Sequence, residues 1–192
     1  RRSSDLAYVS EKLDGMRAIW DGGVTRGMWA HNVEYANTLK DKSTVRCTGL
    51  WSRRGKAIQA PDWWLDRLPN FPLDGELFCG DFQVLMTIAR CKIPSDKDWQ
   101  SVIYYAFDSP RMDVFAGQEF CRKHNIDVIP FMSFPETLEF MKTELKESDL
   151  LKLHKQEVVT SVKDVMDRLP HVFEGLMIRK TPLWEPSRSS NM

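Results

Sequence analysis

Lys12 opens the run Lys12-Leu13-Asp14-Gly15-Met16-Arg17, which sets an amine two residues before a carboxylate and five before a guanidinium. An unprotonated amine can attack phosphorus, but a lysine with its ordinary pKa of about 10.4 is protonated at neutral pH. A nucleophilic Lys12 therefore has to be partly desolvated or set among other cations. Arg17, Arg53 and Arg179 are cations that could do this, and a guanidinium also grips phosphate oxygens with two bonds at once. Three more short runs carry chemistry: Leu73-Asp74-Gly75-Glu76-Leu77, Tyr105-Ala106-Phe107-Asp108 and Glu174-Gly175-Leu176-Met177-Ile178-Arg179. Each has a plain structural reading. Lysine before Asp-Gly often flanks a hairpin turn. Asp74 and Glu76 share one face of a strand, where such pairs are commonly solvated. Phe107 reads as core and Glu174 as an edge residue. Only the Lys12 run is specific by itself, since four fixed positions would match by chance in about one chain in a thousand. The other runs follow it in a fixed order, and that conjunction decides the reading.

The elements that must position these residues are short. Residues 6–12 and 16–20 read as two strands joined through Asp14-Gly15 as a hairpin. Residues 27–49 have weak periodicity and read as a loop or small insertion. A helix is predicted over 60–68 with Pro61 in its first turn, a strand over 72–78, a helix over 82–90 and a β-rich run over 102–108. Further on come a helix over 113–125, a strand over 126–131 interrupted by Pro130, and an amphipathic helix over 135–146. A short strand at Val158-Val159, a helix capped by Ser161 and running to Leu169, and a last strand over 172–179 complete the pattern. Strands and helices without strict β-α-β alternation predict an α+β fold.

Composition sets the outer limits. The chain has 192 residues, 42% of them hydrophobic, enough for one folded domain with a sizeable core. No apolar run approaches the ~20 residues of a transmembrane helix, and no signal peptide is visible, so no membrane partner is expected. The 27 basic and 27 acidic residues cancel, which leaves a nucleic-acid partner neither announced nor excluded. Cys47, Cys79, Cys91 and Cys121 form no C-x-x-C pair, so reduced thiols in an intracellular compartment are expected. The missing initiator Met and the end at Met192 predict a piece of a longer chain, shortened at both ends.

Taken in order, the four runs resemble the motifs of covalent nucleotidyltransferases, the superfamily of ATP-dependent DNA ligases, RNA ligases and mRNA capping enzymes. Lys12 to Arg17 resembles the K-x-D-G-x-R nucleophile motif, and Ser52-Arg53-Arg54-Gly55 the S-R-x-G element that follows it. Asp74-Gly75-Glu76, Tyr105 to Asp108 and Glu174 to Met177 fall at the next three motifs. Arg188-Ser189-Ser190-Asn191 resembles the segment leading into the last. Ala60-Pro61-Asp62-Trp63-Trp64 and Phe71 to Leu77 look most like small ATP-dependent DNA ligases of bacteria and phages. The final lysine-rich motif is absent from the chain, and Ser10 stands where many members have Glu.

The resemblance implies a nucleotidyltransferase (ATP-grasp-like) fold of antiparallel sheets flanked by helices over residues 1–192, with no oligonucleotide-binding domain in this chain. It implies ATP and Mg²⁺ as cofactors, nicked double-stranded DNA as partner, a monomer, and a cytoplasmic setting in a bacterial or phage-infected cell. Lys12 would carry AMP. Glu76 and Arg17 would hold the ribose hydroxyls, and Phe107 would stack on adenine. Glu174 and Asp14 would organise Mg²⁺, Arg53 and Arg179 would contact phosphate, and Arg188 would face the departing pyrophosphate. A capping guanylyltransferase or RNA ligase shares the same core, and a non-catalytic nucleic-acid-binding module is the alternative of another class.

Overall fold

The short apolar runs divide between two sheets. The computed structural model describes residues 7–37, 44–129 and 133–180. Strands β1 (Ala7–Glu11), β7 (Glu157–Val159) and β8 (Leu176–Lys180) make a three-stranded antiparallel sheet in the order β7-β1-β8. Strands β2 (Met16–Asp21), β3 (Leu50–Ser52), β4 (Pro72–Phe78), β5 (Ile103–Asp108) and β6 (Leu151–Leu153) make a five-stranded sheet in the order β3-β2-β4-β5-β6. Its pairings are antiparallel except β5 with β6, which is parallel. The α+β expectation holds, corrected by that one parallel junction.

Alternation along the strands sets the two faces of the larger sheet. Ala18 and Trp20 of β2, Leu73 and Leu77 of β4, and Tyr104 and Ala106 of β5 are buried together in the main core. Helix α2 (Phe82–Arg90) closes over them with Leu85 and Ile88, three positions apart and so on one helical face. Asp81 caps that helix by accepting a bond from the Val84 N–H at 3.1 Å. Helix α6 (Phe134–Glu144) adds Met141, while Trp64 and Trp99 pack edge to face at 4.8 Å. The remaining faces of β2 and β4, carrying Arg17, Asp74 and Glu76, are left for the site.

Several sequence expectations need correction. β1 and β2 are not a hairpin: they lie in different sheets, and residues 12–15 carry the chain from one to the other. Residues 27–49, as far as they are described, are irregular but packed. They contain a 3-10 turn (Ala30–Asn32) and bury Ala30, Val33, Ala36 and Cys47 against Trp51. The helix expected over 60–68 is one turn, α1 (Asp62–Leu65), with Pro61 at its N-cap. The helix expected over 113–125 is two, α4 (Met112–Phe115) and α5 (Gln118–Lys123), because Gly117 between them has φ of 91°. Residues 126–129 form no strand, and 130–131 lie outside the described residues. The last strand starts at Leu176 rather than 172, and β3, β6 and the short helix α3 (Asp96–Trp99) were not anticipated. The Ser161-capped helix, α7 (Val162–Arg168), is present.

Candidate active site

Lys12 stands at the crossing between the two sheets, where the backbone is held from more than one side. Its N–H donates to the Gly175 carbonyl at 2.9 Å, just before β8. Gly15, at the other end of the crossing, has no room for a side chain. A Cβ there would lie 2.1 Å from the Leu77 carbonyl oxygen and 2.8 Å from Cγ of Glu76. The glycine in the Lys12 run is therefore needed for close approach to β4, not for a left-handed turn. The same holds one strand over: a Cβ on Gly75 would lie 2.3 Å from the Tyr105 carbonyl oxygen. Both Asp-Gly pairs are places where backbones nearly touch.

Register then aligns the polar side chains. Arg17 lies opposite Glu76, Glu76 opposite Tyr105, and Tyr105 beside Lys152 of β6. Arg17 reaches diagonally to Asp74, with Nε at 3.0 Å and Nη2 at 2.6 Å from its two carboxylate oxygens. Asp74 pairs in register with Asp108 across a bulge in β5, and Asp108 accepts from Arg179 Nη1 at 2.5 Å. Asp74 and Asp108, both buried, are thus each matched by an arginine, which compensates the burial of their charge. Glu76 is placed differently. Burial pushes its carboxyl up to about 7; the Gly15 N–H and the charges of Arg17 and Lys12 oppose the rise, and Asp74 adds to it.

Phe107 is the extra residue of the β5 bulge, half-buried, with its carbonyl accepting from Gln156 Nε2 at 2.7 Å. Arg53 sits exposed in the turn after β3, and that turn is tied down by a bond from the Asn37 N–H to the Gly55 carbonyl at 2.7 Å. Gly55 has φ of 79°, which favours glycine at this corner.

The fold matches solved structures. A DNA ligase structure described as "DNA binding with a minimal scaffold: Structure-function analysis of Lig E DNA ligases" superposes over 97% of this chain and 60% of its own, with a TM-score of 0.64 and 26% identity. The chain has the fold of a DNA ligase nucleotidyltransferase domain. Chlorella virus DNA ligase-adenylate shares that fold at a TM-score of 0.56 and 17% identity, over 91% of this chain and 54% of its own. Among curated proteins, a DNA ligase of Haemophilus influenzae is 28% identical over 104 residues, 53% of this chain and 29% of that protein. No family model matches. The chain thus spans about a third to three-fifths of these ligases, and its resemblance to the adenylation domains of ATP-dependent DNA ligases holds.

Within this ligase-like domain, Lys12, Arg17 and Glu76 come together at the crossing, and Asp14 and Glu174 adjoin it in the chain, next to Gly15 and Gly175. Arg179 is engaged by Asp108 and lies over the Phe134 ring at 4.0 Å. Arg188 lies outside the described residues. Lys12 is exposed, so burial does not supply the desolvation its chemistry asks for. Among the described residues no three His, Cys, Asp or Glu side chains gather into a metal cage. Asp14 and Glu174, both exposed, supply hard carboxylate oxygens at the crossing. That donor set fits Mg²⁺, which takes one or two carboxylates and fills its shell with water and phosphate oxygens. Lys152 and His154 belong to the surroundings of the site and carried no motif; the Leu151-Lys152-Leu153 alternation was their one signal.

Proposed function

We propose that the chain is the adenylation domain of an ATP-dependent DNA ligase, with Lys12 as the nucleophile. The observation that carries the reading is the crossing itself. Residues 12–15 pass between two sheets with Lys12 fixed to Gly175 and Gly15 pressed against Glu76. A lysine on a loosely held turn would have no reason to be anchored in this way.

In the proposed reaction the Lys12 Nζ lone pair attacks the α-phosphorus of ATP. A nitrogen–phosphorus bond forms, the bond to the bridging oxygen of pyrophosphate breaks, and the amine loses its proton. The 5′-phosphate of a nick then displaces the lysine and takes the AMP. Attack by the 3′-hydroxyl on that phosphate releases AMP and closes the strand. Charge spreads over phosphoryl oxygens throughout, so positioning and fixed donors carry the catalysis. Glu76 and Arg17 hold the ribose hydroxyls, and Phe107 stacks on adenine. Arg53 contacts phosphate of ATP or DNA. Arg179, tied to Asp108, contacts phosphate, and Arg188 faces pyrophosphate. Asp14 and Glu174 hold Mg²⁺, which when bound neutralises charge on the transferring phosphate.

Residues 1–192 form this one domain, residues 27–49 are an insertion on it, and it acts as a monomer on nicked duplex DNA in the cytoplasm. The test is sealing of matched nicked DNA and nicked RNA by the full-length protein, with ATP or GTP. Sealing of DNA with ATP is expected. Preference for RNA, or labelling by GTP alone, would move the assignment to an RNA ligase or a capping enzyme.

A further inference from the structure

His154 follows β6 and reaches across the gap between the sheets. Its Nε2 lies 2.7 Å from the carbonyl oxygen of Glu11, the residue before Lys12. A carbonyl oxygen can only accept, so Nε2 carries the hydrogen and His154 donates. The imidazole is itself held: its backbone N–H donates to the Ala106 carbonyl at 2.7 Å, and the Tyr105 ring meets it edge-on at 5.7 Å. Ala106 and Tyr105 belong to β5, one residue or two before Phe107, and Tyr105 lies opposite Glu76. One side chain therefore links the strand that carries the proposed adenine platform to the peptide that carries the proposed nucleophile.

The Glu11–Lys12 segment is gripped at successive groups. His154 holds the Glu11 carbonyl, and Gly175 holds the Lys12 N–H. Lys12 lies beyond the end of β1, so the strand ladder alone does not hold it. We infer that His154 is a positioning residue that fixes the main chain at Lys12 for attack on the α-phosphorus; this rests on the adenylation reading above. It touches neither the amine nor the nucleotide in this role. Its effect belongs to the lysine-adenylation step, because sealing of an already adenylylated nick requires a 3′-hydroxyl but no lysine amine.

The test is single-turnover kinetics on the full-length protein. Lysyl-AMP formation is measured at saturating ATP and compared with sealing of pre-adenylylated nicked DNA, for the unsubstituted protein, His154→Leu and His154→Gln. His154→Leu removes the donor, and His154→Gln keeps an N–H at similar reach. Adenylation is expected to slow about tenfold in His154→Leu, a loss of ~1.4 kcal/mol of transition-state stabilisation, with sealing of the pre-adenylylated nick unchanged. His154→Gln is expected to recover most of the adenylation rate. Equal loss in both steps would make His154 a structural residue and overturn the inference, as would an unchanged adenylation rate in His154→Leu. Failure of the unsubstituted protein to form lysyl-AMP would remove the adenylation reading itself, and this inference with it.

Discussion

Glu76 has an ordinary carboxyl pKa of 4.5 that burial raises to about 7. Folded chains therefore keep a proton that unfolded chains release between those values. By linkage, Glu76 makes the fold less stable as pH rises through that window. Its proposed partner, a ribose hydroxyl, is best accepted by the charged form. Apparent affinity for ATP in the adenylation step should therefore improve from pH 6 to pH 8. In Glu76→Gln that pH dependence should flatten, which adenylation KM measured across the range would reveal; an unchanged profile would exclude Glu76 as its source. Asp74 makes a second prediction at this scale. It is buried and matched by the two-bonded Arg17, so Asp74→Ala strands a half-buried guanidinium. The expected loss is roughly 2–3 kcal/mol in denaturant unfolding, short of a fully buried pair because Arg17 keeps some exposure to water.

The motif glycines were legible in the sequence, but their reason was not. Gly15 looked like a turn residue and Gly75 like an ordinary strand position, and the two sheets show both to be sites of backbone contact. Gly75→Ala should displace β4 from β5 and disturb the bulge at Phe107. Proper folding with an intact adenylation rate in that variant would contradict this account of the motif. Strands β4 and β5 could be read directly, as could α2. Pairing could not, because periodicity gives a strand its faces but not its neighbours. Hence β1 and β2, adjacent in sequence, were expected to pair and instead part into separate sheets. The packing of residues 27–49 was not legible for another reason. Their order comes from contacts distant in sequence: Trp51 packs on Ala30, Val33 and Cys47. Asp21 accepts bonds from Thr25 Oγ1 at 2.5 Å, Tyr35 OH at 3.0 Å and Trp51 Nε1 at 3.0 Å. Trp51→Ala should therefore cost about 3–5 kcal/mol by thermal or chemical unfolding, as for other fully buried tryptophans.

At the scale of the whole molecule, the site exists because two sheets meet where residues 12–15 pass between them. Among the described residues, polar contacts span them besides the chain itself. The Arg179–Asp108 pair joins β8 to β5, His154 joins the end of β6 to Glu11, and the Lys12 N–H joins the crossing to Gly175. The Arg179–Asp108 contact should appear as a coupling of about 1–2 kcal/mol in a double-mutant cycle of Arg179→Met and Asp108→Asn. The residues proposed for nucleotide binding are contributed by both sheets, so the chemistry depends on their relative placement. Among the described residues, no helix is long and apolar enough to cross a membrane.

The most direct test of the account is the intact mass of the full-length protein after incubation with ATP and Mg²⁺, beside Lys12→Ala. Any adduct already present is first removed with pyrophosphate. A gain of one AMP, labile to acid and lost in Lys12→Ala, is the predicted result. No adduct in the unsubstituted protein, or an adduct that persists in Lys12→Ala, would contradict Lys12 as the nucleophile.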